Sequence, residues 1–177
     1  MVNPIIDSKK GFSGLVNTNE VFGYLYLPTG SIKAVVILAK GGPSFSDDGK
    51  NKVWPVCKKN NVALFVPDYL GSGRSAGGNF SMKNCLETLQ LSEEALVGKQ
   101  NWLDTYSGNK FQVKFTNIIL VGSSWGGSIA PFYFNYNPQT VIEKLGLFSP
   151  VTEWNSQDRY LVEEETDGVF GTVNFIV

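Results

Sequence analysis

Ile118-Ile119-Leu120-Val121-Gly122-Ser123-Ser124-Trp125-Gly126-Gly127 decides how this chain is read. Four β-formers run into a Gly-x-Ser-x-Gly turn. Ser128-Ile129-Ala130-Pro131-Phe132-Tyr133-Phe134 can follow as a short buried helix, with Pro131 tolerable only in its first turns. A serine on a sharp strand-to-helix turn presents its hydroxyl outward, and the crowding there leaves no room for a Cβ two positions away on either side. Gly122 and Gly126 meet that demand around Ser124, whereas around Ser123 the first crowded position would carry Val121. Ser124 is therefore the candidate nucleophile. A chain with 19 glycines can produce the pentapeptide by chance, so the flanking strand and helix carry the reading. Yet the chain contains no histidine, the usual base for such a serine.

Upstream, Val21 to Leu27 reads as a strand ending in the turn Pro28-Thr29-Gly30, and Ala34 to Ala39 as a strand buried on both faces. Lys40-Gly41-Gly42-Pro43 breaks the chain. Ser46-Asp47-Asp48 offers caps for a helix with Val53, Trp54, Val56 and Cys57 on its apolar side, shortened or bent by Pro55. Val62 to Val66 is a second buried strand, followed by Pro67-Asp68 and a glycine-rich loop through Gly78. Leu89, Leu96 and Leu103 recur every seven positions, which predicts an amphipathic helix over 86–103. Leu145 to Phe148 predicts a further strand. Strands alternating with helices predict an α/β fold, a mostly parallel sheet with helices on both faces, whose ligand sits at the carboxyl ends of the strands.

The 177 residues suit a single domain, and 42% hydrophobic with 18% charged residues is an ordinary soluble composition. A formal net charge of -1 and the lack of any Lys/Arg-rich run argue against nucleic acid. No secretory signal is visible at the N-terminus, and the apolar run 34–39 is too short for a bilayer, so no membrane partner and a cytoplasmic location are expected. Cys57 and Cys85 read as buried free thiols and, without histidine, make a poor metal set. No cofactor is implied, because the glycine loops complete neither a phosphate-binding nor a dinucleotide-binding pattern.

Four segments in order make the chain resemble the α/β-hydrolase family over roughly residues 20 to 155. Lys40-Gly41-Gly42-Pro43 looks like the His-Gly-Gly-Pro loop of peptidase-like members, with lysine in place of histidine. Asp68-Tyr69-Leu70-Gly71-Ser72-Gly73-Arg74-Ser75 is similar to the family's Asp-x-x-Gly-x-Gly-x-Ser turn, Gly122 to Gly126 to its nucleophile elbow, and Leu147 to Trp154 to the segment after its sixth strand. The resemblance implies a serine hydrolase, an esterase or peptidase acting on an ester or peptide-like amide. Ser124 would form the acyl-enzyme, and the Trp125 and Gly42 N–H groups would make the oxyanion hole, since Pro43 has no N–H. Glycines at 41 and 42 would also suit a plain tight turn. Arg74 could reach a substrate carboxylate, but it is expected to brace the Asp68 turn or face solvent.

The family places its acid and then its histidine after the nucleophile. Only 53 residues follow Ser124. The expectation is therefore a chain that stops after the family's sixth strand, with residues 155–177 beginning a lid, and with Glu153 or Asp158 the candidate acids. Three functions stay open: the N-terminal part of a serine hydrolase; a hydrolase-like binding module that lost its histidine; or one half of a split enzyme whose histidine comes from a complementary C-terminal polypeptide.

Overall fold

The computed structural model describes residues 11–150 apart from 19, 44 and 46. Its elements in chain order are β1 (Phe12–Thr18), β2 (Val21–Leu27), β3 (Ala34–Ala39), α1 (Trp54–Lys59), β4 (Val62–Pro67), α2 (Met82–Leu96), β5 (Trp102–Asp104), β6 (Lys110–Phe111), β7 (Ile118–Ser124), α3 (Trp125–Tyr136) and β8 (Ile142–Pro150). The strands form one sheet in the order β6-β5-β1-β2-β4-β3-β7-β8. Its β4-β3-β7-β8 half is parallel, and the pairings from β6 to β4 are antiparallel. The sheet is thus mixed, and the site belongs to its parallel half.

Helices cover both faces. Val35, Ile37 and Ala39 of β3 join the larger core, which α2 and α3 supply with Leu89, Leu96, Ile129 and Tyr133. Val36 and Leu38 point the other way, into a smaller core with Cys57 and Trp54 of α1. That two-sided burial is why β3 is a continuous apolar run rather than an alternating one, at about 1.5–3 kcal/mol for each large side chain fully buried.

The helix expected over 86–103 begins and ends earlier. Ser81 caps α2 by accepting a bond from the Asn84 N–H at 3.0 Å. The chain leaves the helix after Leu96, with Gly98 at φ +84°. Trp102 and Leu103 then belong to β5. Fully buried Trp102 sets its ring edge-on to Phe65 at 4.9 Å and donates from Nε1 to the Ala95 carbonyl at 3.2 Å. The apolar spacing runs through the helix end because both elements feed the same core.

Ser46-Asp47-Asp48 does not start α1, which begins at Trp54 with Pro55 in its first turn, where a missing N–H costs nothing. Conversely, α3 is longer than the sequence suggests. Pro131 lies inside it and leaves the Gly127 carbonyl without its usual partner. Among the described residues, no helix is long and apolar enough to cross a membrane. The lid expected over 155–177 lies outside the described residues.

Candidate active site

Ser124 ends β7 and immediately precedes α3, with its side chain exposed. Its backbone sits at φ 54°, ψ -123°, a conformation that non-glycine residues rarely adopt and that persists only where the surroundings impose it. Those surroundings are visible. A Cβ on Gly122 would come within 2.4 Å of the Gly126 carbonyl oxygen, and one on Gly126 within 2.0 Å of the Ala39 carbonyl oxygen. The two glycines let the start of α3 press against β7 and the end of β3.

The loop after β3 is tied to the same turn. The Gly126 N–H donates to the Lys40 carbonyl at 3.1 Å, and the Tyr69 hydroxyl donates to that carbonyl at 2.9 Å. Gly41 then passes beside the serine, so that a Cβ there would lie 3.3 Å from Ser124 Cβ and 3.4 Å from its Oγ. Gly42 packs against the Phe80 ring, at 2.9 Å from the same kind of virtual Cβ. Among the described residues, neither the Gly41 nor the Gly42 N–H donates a hydrogen bond. Trp125 opens α3, which puts its N–H at the positive end of the helix dipole, while its ring packs on Phe80 at 5.6 Å. Ser124, Trp125, Gly41 and Gly42 are therefore brought together.

The turn after β4 braces this arrangement. Asp68 is fully buried and receives Arg74 through Nε at 2.5 Å, Nη2 at 2.9 Å and the backbone N–H at 3.1 Å. The bond to Asp68 pushes the guanidinium pKa further up. Nη2 also donates to the Asp47 carbonyl at 2.9 Å, pinning the far part of the β3–α1 loop. Ser75 donates to the Asp68 carbonyl at 2.7 Å and accepts the Phe22 N–H at 2.9 Å. Of the three roles open to Arg74 in the sequence, this is the bracing one.

No base is bonded to the serine among the described residues. Among the described residues, Ser124 Oγ has no hydrogen-bond partner, and no group of three or more His, Cys, Asp or Glu could hold a metal. Cys57 and Cys85 are buried and share no disulfide, and burial pushes the Cys57 thiol up. Glu153 and Asp158 lie outside the described residues. Sequence reasoning missed Tyr69, Phe80 and the role of Asp47, whose only signal is proximity to the Asp68 and glycine turns.

No family model and no curated protein matches this sequence. Solved structures do. A monoacylglycerol lipase from Paleococcus ferrophilus superposes with a TM-score of 0.57 at 18% identity, over 85% of this chain and 53% of that one. An α/β serine hydrolase without lid from Xanthomonas campestris gives 0.53 at 14% identity, over 86% and 67%.

The chain has the α/β-hydrolase fold.

Ferulic-acid-bound Est1E from Butyrivibrio proteoclasticus adds a TM-score of 0.51 at 18% identity, over 74% of this chain and 50% of that one. The chain spans between 50% and 67% of the length of these three structures. Within the α/β-hydrolase fold, a strand, a serine on a strained turn and a helix form the unit that exposes a nucleophile above the sheet. Here β7, Ser124 and α3 follow one another in the same strand, turn and helix order. At these identities the likeness is one of fold.

Proposed function

We propose that this chain carries the nucleophile and oxyanion portion of a serine hydrolase acting on an ester or peptide-like amide. The observation that carries the reading is Ser124 at φ 54°, ψ -123°, exposed beside the Gly41-Gly42 loop. Strain of this kind costs free energy and is kept where it aims a reactive group.

Ser124 Oγ attacks the substrate carbonyl carbon and gives its proton to a base. The oxygen that becomes negative is held by the Trp125 and Gly42 N–H groups, and losing one such donor costs about 3 kcal/mol in comparable sites. The C–O or C–N bond then breaks, the leaving group takes a proton, and water hydrolyses the acyl-serine. The 177 residues include no histidine, so a histidine base lies outside them. Among the described residues Ser124 Oγ has no partner, which also suits a second reading, a hydrolase-like binding module with no turnover.

A fluorophosphonate probe tests the proposal. Labelling at Ser124, abolished in Ser124→Ala, is the expected result, with labelling accelerated by a complementary histidine-bearing polypeptide. No labelling under either condition would favour the binding module.

A further inference from the structure

Three loops meet at one carbonyl oxygen. The Lys40 carbonyl, just past β3, accepts the Gly126 N–H of the elbow at 3.1 Å and the Tyr69 hydroxyl of the turn after β4 at 2.9 Å. The Lys40–Gly41 peptide is planar and trans, so its carbonyl and the Gly41 N–H point in opposite directions. Two donors on the carbonyl therefore turn the Gly41 N–H away from the elbow and fix where Gly42 begins. Tyr69 is buried, and burial raises its phenol well above the ordinary value, so the hydroxyl remains a donor at neutral pH.

Gly42 is then held by two rings. Phe80 Cε2 and Cζ lie 2.9 Å, and Tyr69 Cδ2 3.4 Å, from where a Gly42 Cβ would stand. Neither Gly41 nor Gly42 has a left-handed φ, so crowding rather than backbone conformation calls for glycine: Ser124 crowds the first and the rings crowd the second. Phe80 also sets its ring edge-on to Tyr69 at 5.9 Å and packs on the Trp125 ring at 5.6 Å. One ring thus touches both residues whose N–H groups are proposed to hold the oxyanion.

We propose that Tyr69 and Phe80 are positioning residues that set the Gly42 N–H against Ser124, Tyr69 through its hydroxyl on the Lys40 carbonyl and Phe80 through its ring on Gly42. The role rests on the hydrolase reading. A preorganised donor works only at the place where the oxyanion forms, and a displacement on the order of 1 Å is enough to slow such a reaction about 10²-fold.

Fluorophosphonate labelling of the full chain, with imidazole as the base and the rate followed against probe concentration, tests this. Tyr69→Phe removes one donor and leaves the Lys40 carbonyl bonded to Gly126, so the fold should survive. Its limiting labelling rate should fall about tenfold or more, short of the factor of about 10²–10³ for deleting a donor outright, with the half-saturating concentration within about twofold of wild type. Tyr133→Phe, which removes a buried hydroxyl bonded to Glu93 near the other end of α3, should lower thermal stability and leave the limiting rate unchanged. A limiting rate in Tyr69→Phe within about twofold of wild type, or an equal fall in Tyr133→Phe, would overturn the proposal and leave the hydrolase reading standing. Should Tyr69→Phe fail to fold, Phe80→Leu decides: it keeps an apolar side chain but withdraws the ring from Gly42, and an unchanged rate there would overturn the proposal. No labelling of the wild-type chain at all would sink the hydrolase reading and this role together.

Discussion

The Ala39 carbonyl oxygen lies 2.0 Å from where a Cβ on Gly126 would stand. Both atoms belong to backbone, so no side-chain rotation relieves the clash. Gly126→Ala should therefore cost about 3 kcal/mol or more in urea unfolding and displace the turn at Ser124. Gly146→Ala in β8, where the nearest atom is a Val121 methyl at 3.5 Å, should stay within about 1 kcal/mol of wild type. Equal costs at the two positions would mean that the crowding at the elbow is not what selects glycine.

Turnover by the isolated chain should be very low, because serine at neutral pH is a poor nucleophile without a base. Hydrolysis of an activated ester such as p-nitrophenyl acetate should rise with added imidazole, and that gain should vanish in Ser124→Ala. Efficient hydrolysis without imidazole, lost in Ser124→Ala, would contradict the need for an external base.

Glu93 of α2 is buried and accepts from Tyr133 at 2.7 Å, from Thr140 at 2.7 Å and from the Val141 N–H at 2.6 Å, joining α2 to α3 and to the chain entering β8. Glu93→Gln replaces one acceptor oxygen with an NH₂ group that must face donors. A loss of about 2–3 kcal/mol in unfolding free energy is expected. A cost below about 0.5 kcal/mol would show that the network contributes little.

Stability should fall as pH rises beyond about 10. Burial, aided by the bond to Asp47, raises the Tyr26 phenol; burial, aided by Glu93, raises Tyr133; burial raises Tyr69. In the unfolded chain these groups ionise near 10. Above that value the unfolded state loses protons that the folded state retains, which favours unfolding; below it the contribution is fully present. Unfolding free energies between pH 8 and 11 should decline, and Tyr26→Phe should flatten the decline. A flat profile in the wild type would refute this assignment.

The parallel half of the sheet was legible because its strands are apolar runs bounded by breakers. Ala34 to Ala39 matches β3, and Val62 to Val66 lies within β4. The elbow was legible for a steric reason, since the Gly122 and Gly126 spacing records a backbone crowding that no other residue tolerates. The end of α2 was not, because Leu96 and Leu103 are both apolar and spacing alone does not say that one lies in a helix and the other in a strand. Asp47 was misplaced as a helix cap for a similar reason. An aspartate before an apolar stretch suits a cap, but its carboxylate accepts from Tyr26, 21 residues away in sequence, and from the Gly49 N–H, neither of them in α1.

By itself, the sequence determined the strand, turn and helix around Ser124 and the lack of a histidine base, because these depend on local sterics and on composition. Tertiary structure alone decided that Gly41 passes the serine and that Asp68 and Arg74 brace the neighbouring loop. It also decided that Asp47 is buried with one oxygen unsatisfied. Those relations are distances between segments far apart in the chain, and they exist only once the sheet has brought β3, β4 and β7 side by side.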